Sequence, residues 1–138
     1  MLFASIHGDP RAYYPFFSGY AGERGVGRGA GFTLNVPLPG GCDGQGYFEV
    51  LDGPVATAIA QYAPAALIVS AGLDTFVDDP IGDFALVLAD YSEMGERIGR
   101  WGLPIVAVQE GGYSTAELGP NAVALLRGLA SGQRSSGA

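Results

Sequence analysis

The fold of this chain is most tightly constrained by two apolar runs without polar alternation, ALIVSA at residues 66–71 and IVAV at 105–108. Stretches of helical spacing surround them. Residues 46–62 put Phe48, Leu51, Val55, Ile59 and Tyr62 near one helical face. Residues 90–101 turn Met94, Ile98 and Trp101 inward, and 116–129 carry Leu118, Val123, Leu126 and Leu129 in the pattern. An order of helix, strand, helix, strand, helix predicts parallel strands joined by right-handed helical crossovers, an α/β architecture. The unbroken apolar runs predict strands covered on both faces. Within 46–62, Gly53-Pro54 predicts a kink or two abutting helices, because proline removes a backbone donor.

Two shorter strands are expected at 2–6 and 33–36, the second closed by Pro37 and Pro39. Between them, residues 7–32 show neither a helical nor a strand period. A structureless segment of that length in a compact domain is usually functional or disordered. Its aromatics, Tyr13, Tyr14, Phe16 and Phe17, argue for order, since leaving them in water is costly. Residues 131–138, SGQRSSGA, read as a flexible tail after a body spanning 1–130. With 138 residues the chain fits one domain. That length supports a real core, burying roughly 68–70% of the unfolded surface.

In open parallel sheets, ligands bind outside the carboxyl ends of the strands. Asp74 follows the first run across Gly72, and Glu110, Gly111, Gly112 and Tyr113 follow the second. Asp74 is either a metal ligand or base, or a turn acid. Gly111 and Gly112 let backbone come close to a ligand, and a phenol there could donate to a developing oxyanion. The same sequence also fits a plain loop with a packed tyrosine. Asp78 and Asp79, before Pro80, read as turn chemistry with a mainly structural role.

Other candidates are weaker. His7-Gly8-Asp9 has the look of a metal pair, yet one histidine does not make a catalytic zinc site, which needs three protein ligands. A hydrogen-bonded structural histidine is the expected reading. GERGVGRGAG has no Walker lysine and does not lead from a strand into a helix, so it is not read as a phosphate loop. Cys42, the single cysteine, lies in a Gly-Gly-Cys-Asp-Gly loop, which excludes an intrachain disulfide and suits a reducing, cytoplasmic setting. No signal peptide or membrane-length apolar run is visible. The formal charge is −7 and all seven basic residues are arginine, which argues against a nucleic-acid surface. The acidity suits a cationic substrate, or serves only solubility.

Taken together, SIHGDPRAYYPFF, GFTLNVPLPGG, LIVSAGLDTFVDDPIG and VAVQEGGYSTAELGPNAVALLRG resemble the histone deacetylase family. Within it they are similar to bacterial acetylpolyamine amidohydrolases and related class II deacetylases. The resemblance covers residues 2–128. It implies an arginase/deacetylase-like three-layer α/β/α fold with a mostly parallel sheet. It also implies one Zn2+ held by two aspartates and a histidine, with Asp74 as the second aspartate. Tyr113 would polarise the scissile acetyl carbonyl, with Gly111 and Gly112 beside it. Tyr14 would wall the substrate tunnel. Ser5 and the Ile6 carbonyl would lie near a monovalent cation, K+. His7 would lie outside the catalytic histidine pair. The implied substrate is an acetylated amine, acetyl-lysine or acetylpolyamine, hydrolysed to acetate and free amine.

The family's other aspartate, its histidine ligand and its histidine pair lie upstream of the first strand in relatives, and no counterpart stands in this sequence. The expectation is therefore a C-terminal portion, inactive alone, whose Met1 is internal to a longer reading frame or marks a broken gene. The alternative is an inactive remnant, or a split subunit needing a partner chain. The expected partners are a second copy in a homodimer or a complementing N-terminal part, with neither nucleic acid nor membrane involved. Isolated, such a portion would be marginally stable, with open sheet edges. Another doubly wound hydrolase is a weaker reading, since the nucleophile elbow G-x-S-x-G is absent.

Overall fold

The computed structural model describes residues 1–137, and its contacts divide the chain into two units, Met1–Ala63 and the part from Pro64 onward. Each unit carries its own two-stranded parallel sheet.

In the first unit, β1 (Phe3–Gly8) pairs with β2 (Thr33–Leu38), from Phe3 opposite Thr33 to Gly8 opposite Leu38. Proline was expected to close β2, but the strand runs through Pro37. Among the described residues β2 has one strand neighbour, so a missing N–H on its free edge costs no ladder bond. The long connection between the strands holds one 3-10 turn, Gly27–Gly29. Polar side chains order the rest. Buried Asn35 of β2 donates from Nδ2 to the Tyr20 carbonyl at 3.3 Å and to Glu23 Oε2 at 3.4 Å. Glu23 Oε2 also accepts from the Gly19 N–H at 2.9 Å.

The helical stretch that follows is broken as its glycine and proline predict. Helix α1 (Gly44–Val50) starts at Asp43, whose Oδ1 accepts from the Gly46 N–H at 3.0 Å. A wide π turn, Leu51–Val55, absorbs Pro54 and leads into α2 (Ala56–Tyr62). Phe48, Leu51 and Val55 are buried, and the Tyr62 ring meets Phe32 edge-on at 5.8 Å between centroids.

The second unit runs β3 (Leu67–Ala71), α3 (Leu88–Gly99), β4 (Ile105–Gln109) and α4 (Thr115–Ser136). Strands β3 and β4 are parallel, from Leu67 opposite Ile105 to Ala71 opposite Gln109. Coverage on both faces is not what the chain shows. Leu67 is buried, while Ile68 is 73% and Val106 59% exposed, so this sheet buries one face and opens the other. On α3 the inward stripe is Tyr91, Met94 and Ile98; Trp101 lies beyond the helix end.

Helix α4 departs most from expectation. It does not stop at Leu129 before a flexible tail: residues 131–136 are its last turns, and Ala138 lies outside the described residues. Val123 and Leu126 are exposed, and the buried stripe is Asn121, Leu125, Gly128, Leu129 and Gly132. The reason is backbone contact between helices. A Cβ on Gly95 would fall 2.2 Å from the Leu125 carbonyl oxygen, and one on Gly132 would fall 2.2 Å from that of Glu96. Gly99 and Gly128 are equally tight, at 2.4 and 2.1 Å from the opposite backbone. Close approach, rather than side-chain interdigitation, therefore sets the seam. The last turns are also tied down by Gln133, whose Nε2 donates to the Leu103 carbonyl at 2.9 Å.

Candidate active site

The two strand ends of the second unit stay joined after the ladder stops. The Glu110 N–H donates to the Ala71 carbonyl at 2.9 Å, and the Leu73 N–H donates to the Gly111 carbonyl at 2.8 Å. Asp74 and the Gly111–Tyr113 segment are thereby brought to one edge, as their positions after the apolar runs predict. Glycines make the fit. A Cβ on Gly111 would lie 2.4 Å from Asp74 Oδ2, and one on Gly72 would lie 2.9 Å from Oδ1. The Asp74 carboxylate thus rests against backbone that no side chain can occupy. Gly112 has φ 133, a conformation that L residues rarely adopt.

Behind this edge, Asp79 is buried and fully engaged. Its Oδ1 accepts from the N–H groups of Ile81 (2.9 Å) and Gly82 (3.0 Å). Its Oδ2 accepts from the N–H groups of Tyr113 (2.7 Å) and Ser114 (3.2 Å). Burial alone would raise its pKa, but the bonds from Gly82, Tyr113, Ile81 and Ser114 outweigh that and hold it below the ordinary carboxylate value. Fully buried Tyr91 of α3 supports the same loop. Its hydroxyl lies 2.9 Å from Thr75 Oγ1 and donates to the Leu73 carbonyl at 3.3 Å. Burial pushes the Tyr91 phenol up to about 12. Neither Asp79 nor Tyr91 was expected to serve the site. The helical spacing of Tyr91 with Met94 and Ile98 was a usable signal. Asp79 carried only the turn signal of its bonds to Ile81 and Gly82, because its other two partners are 34 and 35 residues away.

Asp74 is half-buried, and its pKa is raised. Burial is the main cause, partly countered by its own backbone N–H and reinforced by the like charges of Asp79 and Glu110. A carboxylate with anionic neighbours and restricted water is the kind of donor a divalent cation would neutralise. Asp74 fits the role of one metal ligand. Among the described residues no group of three His, Cys, Asp or Glu side chains could hold a metal ion.

The remaining candidates lie in the first unit. Ser5 Oγ is 2.8 Å from His7 Nδ1, and His7 Nε2 is 2.8 Å from the Gly19 carbonyl. A carbonyl can only accept, so Nε2 donates to Gly19, and the Ser5 hydroxyl engages Nδ1. Both ring nitrogens are engaged, as a structural histidine requires. Ile6 sits in β1 opposite Val36. Tyr14 is 83% exposed. Asp9 pairs with Arg11 rather than acting as a ligand beside His7, and that contact lowers its pKa to about 2. The Cys42 thiol is raised by burial, then by Asp43 and Glu49, which suppresses the thiolate a nucleophile needs.

Parallel strands that deliver an acid and a Gly-Gly-Tyr turn to one edge, backed by packed helices, define an arginase/deacetylase-like α/β protein. The histone deacetylase domain model matches residues 1–129, and the chain belongs to that family. It is 51% identical to acetylpolyamine amidohydrolase 1 of Pseudomonas aeruginosa, over 93% of this chain and 37% of that protein. To acetylpolyamine amidohydrolase of Mycoplana ramosa it is 43% identical, covering 94% of this chain and 38% of the relative. A crystal structure of acetylpolyamine aminohydrolase from Burkholderia pseudomallei superposes with a TM-score of 0.90 at 38% identity, covering 95% of this chain and 38% of that one. The chain therefore spans well under half the length of these relatives, and that share does not confirm the expected C-terminal placement.

Proposed function

We propose that this chain carries part of the active site of a zinc-dependent amidohydrolase that removes acetyl groups from acetyl-lysine or acetylpolyamine amines. The observation that carries this reading is the Asp74 carboxylate lying against Gly111, two residues before Tyr113, on two loops joined by backbone hydrogen bonds. Zinc, when bound with Asp74 as one of its ligands, supplies Lewis acidity toward the acetyl carbonyl and toward water. The Tyr113 hydroxyl donates to the carbonyl oxygen as negative charge builds there, a contribution worth about 2.7–4 kcal/mol for one such donor. Gly111 and Gly112 are assigned beside the acetyl group in the same reading. Tyr14 is assigned to the substrate wall in the same reading, on the family resemblance alone. The general base and the remaining ligands come, in this reading, from residues outside the chain, because His7 is held at both nitrogens. Ser5 and Ile6 are assigned to a K+ site in the same reading. The same reading assigns the protein to the cytoplasm, which its single cysteine suits.

The test uses this chain supplemented with the upstream segment that this reading requires. Asp74→Ala should lose zinc, measured by metal analysis after dialysis. Tyr113→Phe should keep zinc and lower kcat for an acetylated diamine by about 100-fold or more. Zinc retained in full by Asp74→Ala would refute the ligand assignment. If the chain alone, without any complementing segment, took up one zinc and turned over substrate, the division of the site across segments would be wrong.

A further inference from the structure

The Asp79 side chain holds both loops of the candidate site at once. One oxygen takes the two N–H groups of Ile81 and Gly82, and the other takes those of Tyr113 and Ser114. Bonds to an ionised acceptor are the stronger kind, and four of them on one buried carboxylate leave it little freedom. The Gly82 end reaches Asp74 directly. A Cβ on Gly82 would fall 1.6 Å from the Asp74 carbonyl oxygen, so the Gly82 backbone is stacked on the Asp74 backbone. The Tyr113 end starts the segment that bears the phenol. We propose that Asp79 is the positioning residue of this site: its carboxylate ties the loop after β3 to the loop after β4 and so sets the Tyr113 phenol at a fixed place relative to Asp74. This rests on the deacetylase reading for its catalytic meaning, while the tether itself rests on the four hydrogen bonds.

Asparagine discriminates. It keeps the size and one acceptor oxygen, so it can serve one loop. Its NH2 group would face the N–H groups of the other loop, donor against donor. Ile81 and Gly82, two and three residues along the same turn, keep the oxygen, so Asp79→Asn should release the Tyr113 loop.

The experiment has two readouts. In the 138-residue chain, amide exchange of Tyr113 and Ser114 should be slow in the wild type and about 10-fold faster or more in Asp79→Asn. In the complete zinc-loaded enzyme with N-acetylputrescine as probe, Asp79→Asn should lower kcat by about 10–100-fold with zinc content unchanged and KM moved far less. That loss should largely vanish in a Tyr113→Phe background, because the phenol it positions is already gone. Wild-type Tyr113 and Ser114 amides that exchange at free-loop rates would overturn the tether without recourse to any variant. A kcat loss that multiplies in full onto that of Tyr113→Phe would overturn the positioning role. Slow amides released by Asp79→Asn, in an enzyme that leaves the probe intact, would uphold the tether and overturn the deacetylase reading instead.

Discussion

Tyr91 shows how much a single side chain can decide. Its ring is fully buried and its hydroxyl bonds Thr75 and the Leu73 carbonyl, the residues on either side of Asp74. Tyr91→Phe keeps the ring and orphans a carbonyl, so unfolding stability should fall by about 0.5–1.5 kcal/mol in urea titrations. The pH dependence has a definite sign. The folded phenol titrates near 12 against an ordinary value of 10.0, so the neutral form is favoured in the folded state. Its stability contribution is complete below pH 10 and is lost as pH rises through 12. Denaturation midpoints should therefore drop across that window in the wild type and drop less in Tyr91→Phe. Asp74 and Tyr113 were legible as candidates because strand ends deliver chemistry in parallel sheets. Asp79 was not, because a carboxylate before proline reads as a local turn whatever it bonds 34 residues away.

Elements were read well where apolar periodicity dominates and poorly where glycine does. The strands of both sheets and the α3 helix follow from hydrophobic spacing, and the break at Gly53-Pro54 follows from proline's missing donor. The register of α4 does not, since Gly128 and Gly132 add nothing to an apolar pattern yet sit at the seam. Its apparent stripe of Val123 and Leu126 faces outward instead. The polar run 131–136 looks like a tail until Gly132 is seen against the Glu96 backbone. Steric logic at the seam is severe, because the neighbours are backbone atoms that cannot rotate aside. Gly95→Leu and Gly128→Leu should each destabilise the second unit by about 1–3 kcal/mol or more, read from urea midpoints. Val123→Ala, on the exposed side, should change stability by less than about 0.5 kcal/mol.

For the whole molecule, charge and exposed apolar surface act together. The net charge of −7 falls to zero near pH 4.4. Repulsion between copies then disappears, while Ile68, Val106 and Val108 remain open on the β3–β4 sheet. Turbidity should peak near pH 4.4, and Ile68→Thr with Val106→Thr should lower that peak without moving it. No helix among the described residues is long and apolar enough to cross a membrane. At the α3–α4 seam, by contrast, nothing is adjustable. A 22-residue helix interrupted by Gly119, Pro120, Gly128 and Gly132 has little tendency to hold its shape in solitude. It persists because α3 offers a groove of matching flatness, and α3 is flat there only because Gly95 and Gly99 lack side chains. Each helix is the mould of the other. The pair should open and close as one cooperative piece, with no partly docked state in which either survives alone.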